Sequence, residues 1–281
     1  MKKPDFNIAA GAVLTGKWNS RSYQIIRKLG SGACGTVYLC QSHGERYALK
    51  VGQDSSRMML EVNMLKKFSK VQGVKLGPDF VDVDDWVGPR AQIYPFYVME
   101  YIQGQSLPSF LKGKANEWIG LFAVQLLSDL EHLHKAGYAF GDLKTDNLLV
   151  SASRVRLIDV GGVTHFDRAI KEFTEFYDRG YWEMGSRRAD ARYDLFALTM
   201  IMLEMAYPAK FEKGKNAKKT LETNLLHAVV LKPYQKIILN CWQGGYSSAT
   251  DMKDDLANLL MKRTQTKSPK RSQLRKKRES M

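Results

Sequence analysis

Hydrophobic periodicity changes once along this chain. From Ser22 to about Tyr101, short apolar runs such as Val37–Cys40 and Tyr47–Val51 alternate with Gly-bearing turns, the pattern of strands. One helix interrupts them. Residues 56–68, S-R-M-M-L-E-V-N-M-L-K-K-F, set Met59, Val62 and Leu65 at three-residue steps, with Met58 and Leu60 widening the stripe. From about Leu107 the pattern is helical, with long apolar-rich stretches at 116–135 and 193–207 and further helices at 221–242 and 250–262. A strand-turn region, 138–164, separates the first two. The expectation is an α+β fold of two lobes, a small β-rich one followed by a larger helical one.

The bulk numbers fit that division. With 44% hydrophobic and 26% charged residues, 281 residues suffice for one large domain or two modest ones with a real core. The three cysteines, Cys34, Cys40 and Cys241, have neither disulfide-framework nor zinc-ligand spacing, so a reducing, cytoplasmic setting is expected. The N-terminus makes a poor signal peptide, because an early aspartate and a broken apolar run follow its two lysines. No stretch approaches the roughly 20 apolar residues of a membrane span. Charge is uneven: residues 262–281 hold nine Lys/Arg against Glu279 alone, a net +8 of the chain's +14. The organisation read from this is an N-terminal extension, 1–21, a β-rich lobe, 22–102, a helical lobe, 103–261, and a basic tail, 262–281, without apolar periodicity and expected to be disordered.

Five pieces of chemistry follow in order. G-S-G-A-C-G-T-V, Gly30–Val37, lies between two strand patterns. That context favours a glycine-rich hairpin over nucleotide phosphates rather than a dinucleotide fold, with Gly30, Gly32 and Gly35 letting backbone amides approach. Taken alone, a tight turn explains it equally well. Fifteen residues past Gly35, Y-A-L-K-V puts Lys50 on a strand, where a cation can hold phosphates. Glu61, on the early helix, is the carboxylate expected to aim it. The run F-G-D-L-K-T-D-N-L-L-V, Phe140–Val150, supplies Asp142 to orient a hydroxyl and accept its proton, Lys144 to neutralise a transferring phosphoryl, and Asn147 to bind a metal. Twelve residues later, I-D-V-G-G places Asp159 after an apolar strand; hard Asp and Asn oxygens suit Mg2+. Asp and Asn are common turn residues, so each piece singly reads as loop capping. Five in this order and spacing do not.

From about residue 22 to 260 the chain resembles the Hanks-type, eukaryotic-like serine/threonine protein kinases. The resemblance rests on the glycine loop, strand lysine, helix glutamate, V-M-E-Y, D-L-K-x-D-N and metal aspartate. F-G-D-L-K, I-D-V-G-G, E-F-Y-D-R-G-Y-W and Y-D-L-F-A bring it closest to the YabT-type kinases of spore-forming bacilli. The resemblance implies ATP and Mg2+ as cofactors, protein substrates phosphorylated on serine or threonine, and autophosphorylation. It implies Glu100, Tyr101 and Ile102 as the hinge that holds adenine, Met99 as gatekeeper, and Leu29, Val37, Ala48 and Leu149 around the ring. Asp194 would anchor the catalytic loop, and Thr174 would match the threonine of the substrate-docking loop.

Departures are informative. Phe140-Gly141 stands where kinases carry histidine-arginine, so the arginine that grips an activation-segment phosphate is missing, and activity is expected not to depend on that clamp. Val160 replaces a phenylalanine. Arg179-Gly180-Tyr181 replaces alanine-proline-glutamate, and Gly245 stands where the glutamate's late arginine partner would be. Losing one member alone would strand a partly buried charge at roughly 3–5 kcal/mol; losing both reads as a rewired helical lobe. Asp79, Asp82, Asp84 and Asp85 are expected to form a solvated acidic turn, with a metal site as the lesser alternative. Cys34 is a small filler before it is a redox handle.

The tail lacks aromatic residues for base stacking but can neutralise phosphates. Non-specific DNA or another polyanion is its first expected partner, giving a nucleoid association. An anionic membrane surface comes second and an inert tail third. Thr264, Thr266, Ser268 and Ser272 lie among its cations as candidate autophosphorylation sites. Competing readings of the whole chain are a pseudokinase scaffold, a small-molecule phosphotransferase, and a nucleic-acid-binding protein with a secondary kinase fold.

Overall fold

The structure, a computed structural model, describes residues 6–32, 34–68 and 76–267. Its first elements are β1 (Val13–Thr15), β2 (Ser22–Gly32), β3 (Gly35–Ser42), β4 (Glu45–Val51), α1 (Ser55–Phe68), β5 (Phe80–Val87), β6 (Ile93–Glu100) and β7 (Gln105–Ser106). Next come α2 (Leu107–Leu111), α3 (Glu117–Lys135), β8 (Tyr138–Ala139), β9 (Leu148–Ser151), β10 (Arg154–Leu157) and β11 (Thr164–His165). The last are α4 (Ala191–Ala206), α5 (Ala217–His227), α6 (Gln235–Trp242) and α7 (Ala249–Lys267). Two compact units divide the chain: residues 1–107 with 145–163, and residues 108–144 with 164–281.

In the first unit, six antiparallel strands run in the order β1-β2-β3-β4-β6-β5. Alternation along them puts Leu14, Tyr23, Ile25, Tyr38, Cys40, Leu49, Val51, Phe96 and Val98 in one apolar core. The two edges are linked at one point. Gly16 bridges Trp86 on β5, and the Lys17 N–H donates to the Asp85 carbonyl at 2.8 Å. The stretch set apart above as an extension thus supplies edge strand β1 and, just after it, a link to the opposite edge strand β5.

The acidic cluster is not a solvated turn. Asp82 and Asp84 lie on β5 with Asp85, only 9% and 6% exposed, and point toward the core side. Asp84 accepts the backbone N–H groups of Trp18 and Asn19, at 3.1 and 2.9 Å. Asp82 accepts the Asn19 amide at 2.9 Å and the Tyr23 hydroxyl at 2.6 Å. These carboxylates hold the N-terminal turn. Among the described residues no group of acids, histidines and cysteines has the makings of a metal site.

The second unit is built on α4, whose residues 193–204 are all buried. Asp190 caps it, accepting the Tyr193 N–H at 2.9 Å. Helix α3 shows a one-sided stripe of Ile119, Phe122, Leu126, Leu130 and Leu133, with Glu117 in its first turn and His134 and Lys135 in its last, matching the helix dipole. The stretch 221–242 is not one helix: α5 ends at His227, and a 3-10 segment holding Pro233, which lacks an N–H, intervenes before α6. Helix α7 continues past 262 to Lys267, so the first tail residues are ordered: Arg263 pairs with Glu117 at 3.5 Å. The rest of the tail lies outside the described residues. Among them no helix is long and apolar enough to cross a membrane.

Glu131 ties α7 to α3 through Lys253 and Thr250, while also pairing with Lys135. Hydrogen bonds from Lys135 and then Lys253 outweigh burial and pull its carboxyl from 4.5 down to about 2. A carboxyl depressed in the folded state contributes stability above its unfolded value and loses it as pH falls toward the folded one. Glu131→Gln is therefore expected to destabilise the chain at pH 7, with the difference from wild type shrinking below pH 4.5. Urea midpoints measured from pH 7 to pH 3 check this; a constant difference counts against it.

Candidate active site

The strand ladders position one group of the candidate residues within the first unit. Val37 lies opposite Lys50, Lys50 opposite Tyr97, and Ala48 opposite Met99. Directly opposed residues share a face, so Val37, Ala48, Lys50, Tyr97 and Met99 line the side of the sheet away from its core. Helix α1 packs on that side, against β5 and β6. Gly30 faces Val37 across β2–β3. Gly35 is required by the fold itself: a Cβ there would stand 2.3 Å from the Val51 carbonyl oxygen. Gly30 and Gly32 have open space where a Cβ would be, so nothing hinders a ligand's approach to their backbone. Ala33, at the tip, is outside the described residues.

Lys50 is 5% exposed and Glu61 4%. The Lys50 ammonium donates to Glu61 Oε2 at 2.6 Å and lies 3.9 Å from Asp159 Oδ1. Burial works against the lysine's charge, but Asp159 and then Glu61 overcome it and hold its pKa above the ordinary value. The ammonium is therefore fully charged at neutral pH. Asp159 follows β10 and keeps its side chain 46% exposed, with Oδ1 accepting the Gly161 N–H at 2.9 Å. The Ile158 N–H donates to the Asn147 carbonyl at 3.0 Å, which sets Asn147 beside the residue preceding Asp159. A carboxylate and an amide oxygen here fit a hard divalent cation such as Mg2+. Val160, 2% exposed, fills its plug position against Gly77, whose Cβ would lie 3.2 Å from a Val160 methyl.

Some residues expected around a purine ring are less uniformly placed. Met99 and Ile102 are buried, Leu29 is 37% exposed at a break in the β2–β3 register, and Leu149 sits on the small β7-β9-β10 sheet. The Glu100 carboxylate is committed elsewhere, to Arg156 at 3.0 Å and the Asp79 N–H at 3.2 Å. Any part it plays toward a ligand falls to its backbone.

The second unit carries a group of its own. Phe140 is buried, and its N–H and that of Gly141 donate to the two oxygens of Asp194 at 2.7 and 3.0 Å. The His134 Nε2 also meets Asp194, at 2.8 Å. Asp194 is fully buried on α4, so this loop is bolted to the most buried helix of the unit. Past Gly141, Lys144 Nζ donates to Asp142 Oδ2 at 2.6 Å and to Thr174 Oγ1 at 3.2 Å. The Thr174 hydroxyl in turn donates to Asp142 Oδ1 at 3.2 Å, closing a three-membered ring.

The rewiring expected near Arg179 takes a definite form. The fully buried Asp178 carboxylate accepts Gly180 N–H, Tyr181 N–H, the Tyr193 hydroxyl at 2.8 Å and the Arg187 guanidinium at 2.6 Å. Arg179 donates to the Ser186 carbonyl and to Asp190. Sequence reasoning missed this cluster and Tyr97, whose hydroxyl donates to Glu61 at 2.7 Å. Strand register would have found Tyr97, but a sequence does not state it.

Residues 23–279 match the protein kinase domain family. Over 94% of its length the chain is 44% identical to serine/threonine-protein kinase YabT of Bacillus subtilis (strain 168), covering 79% of that protein. It is 27% identical to the probable serine/threonine-protein kinase YbdM of the same strain, over 75% of this chain and 80% of that one. Among solved structures, vaccinia related kinase 3 superposes with a TM-score of 0.63 at 18% identity, covering 92% of this chain and 93% of that chain, a likeness of fold.

Proposed function

Since the chain belongs to the protein kinase family and is a serine/threonine protein kinase using ATP and Mg2+, we propose that Lys50, Asp142, Lys144, Asn147 and Asp159 carry its phosphoryl transfer. Lys50, aimed by Glu61, holds the α- and β-phosphates. Asn147 and Asp159 would hold Mg2+, which would supply positive charge to neutralise the phosphates. Asp142 orients the substrate hydroxyl and accepts its proton, and Lys144 stabilises the charge on the moving phosphoryl group. Gly30, Gly32 and Gly35 cover the phosphates. Leu29, Val37, Ala48, Met99, Ile102 and Leu149 enclose the adenine, with the backbone of Glu100 on its edge.

The observation that carries this reading is the ring at Asp142. An aliphatic hydroxyl, that of Thr174, already donates to the Asp142 carboxylate with an ammonium alongside. A substrate serine or threonine needs that environment. Incubation with radiolabelled ATP, Mg2+ and a basic protein tests it: label should appear on serine and threonine of the substrate, and on the kinase itself. Labelling that persists unaltered in Asp142→Asn would sink the assignment.

We further infer that the basic tail binds a polyanion. Residues 268–281 hold six of the tail's cations, Lys270, Arg271, Arg275, Lys276, Lys277 and Arg278. If all six engage a polyanion such as DNA, log K should fall with log[salt] with a slope of about −5. Filter binding across a salt series checks this. Deleting residues 268–281, while keeping α7 whole, should flatten the slope and leave basal turnover unchanged. A slope that survives the deletion means the basic body, not the tail, does the binding.

A further inference from the structure

We propose that Tyr97 is a positioning residue for the phosphate-binding lysine, acting through Glu61. The inference rests on the roles given above to Lys50 and Glu61. Tyr97 sits on β6 directly opposite Lys50 on β4, so both side chains leave the sheet on the face where α1 packs. Their donors converge on one atom: Lys50 Nζ at 2.6 Å and the Tyr97 hydroxyl at 2.7 Å both reach Glu61 Oε2. All three residues are buried, Tyr97 at 2% exposure, so water does not substitute for either donor.

One donor fixes a distance. Two donors from neighbouring strands fix the direction of the carboxylate, and with it the roll of α1 against the sheet. The pairing also keeps Oε2 supplied with hydrogen bonds whenever Lys50 turns toward a phosphate, which a lysine alone cannot do. Burial first, then the charges of Glu61 and Asp159, keep the phenol far above its ordinary pKa, so it remains a donor. The device suits a chain with Gly141 in place of the phosphate-gripping arginine. The glutamate is held inward by the sheet itself, with no phosphorylated segment involved.

The test uses the full chain in four forms beside wild type: Tyr97→Phe, Glu61→Ala, the double variant, and Lys50→Met. Phenylalanine preserves the ring packing and removes only the hydroxyl. Tyr97→Phe is expected to lower kcat/KM for ATP about tenfold, the scale of one hydrogen bond to a charged group. In the Glu61→Ala background the same change should cost less than about twofold, because the acceptor is gone. Amide exchange along Ser55–Phe68 should quicken in Tyr97→Phe by a similar factor, which reads the latch independently of turnover. Wild-type kcat/KM in Tyr97→Phe, or an equal loss in both backgrounds, overturns the proposal, as does unchanged exchange in α1. Wild-type activity in Lys50→Met and Glu61→Ala would instead overturn the roles on which it rests.

Discussion

Asp142→Asn is expected to lower kcat by about 10²–10⁴-fold, the range for a lost general base, with KM for ATP changed by less than about threefold. Asparagine keeps the size and one acceptor oxygen, so Lys144 and Thr174 retain a partner and the loop keeps its shape. What is lost is the negative charge proposed to orient the incoming hydroxyl and take its proton. Lys144, now facing a neutral amide, loses the counter-charge that sits 2.6 Å away. Nucleotide binding should survive because Lys50, Asn147 and Asp159 are untouched. Steady-state kinetics with a protein substrate, alongside nucleotide titration, measure both. Activity within tenfold of wild type would remove Asp142 from the chemistry.

The second large effect is on stability. A chain begun at Ser22, close to where the family match starts, should lose at least about 3 kcal/mol. It would lack Leu14, fully buried in the sheet's core, and the donors on Trp18 and Asn19. Asp84 would lose the donors and the cover that the N-terminal turn gives it, and Asp82 would keep the Tyr23 hydroxyl. For a chain of this size the loss should appear as a fall in Tm of roughly 6–12 °C. Charge can be separated from lost packing: Asp82→Asn with Asp84→Asn should recover part of the loss in the shortened chain and destabilise the full one. No recovery would assign the effect to packing alone.

These two cases mark what the sequence could disclose. The pairing of Lys50 with Glu61 was legible from the strand and helix patterns, and the structure forms it at 2.6 Å; Asp142, Asn147 and Asp159 are proposed because phosphoryl transfer fixes residue types and their order. The change from strand to helix at about Leu107 was legible because periodicity is local. Asp82 and Asp84 misled because their partners lie 59 to 66 residues upstream, and a run of aspartates otherwise reads as a solvated turn. Tyr97 was invisible because its meaning depends on facing Lys50 across two strands that are not consecutive in the chain. Asp178 with Arg187 escaped for another reason: the pair lies within one loop whose backbone path no periodicity describes. At the far end, Met252, Leu256, Leu259 and Leu260, at the three- and four-residue steps of a helix, lead into α7, which runs to Lys267, beyond where the basic composition suggested order would stop.

Gly141 turns the missing arginine into a question of backbone as well as charge. Its φ is +81°, a left-handed conformation in which a side chain costs roughly 1–2 kcal/mol. Its N–H is fixed on Asp194, so the conformation cannot relax without loosening the loop that carries Asp142. An engineer retrofitting this enzyme with a phosphate-operated switch by writing arginine at 141 would thus begin in deficit. The new guanidinium must recover the backbone strain from its phosphate before it governs anything, and until the phosphate arrives the resting enzyme would be the less stable for it.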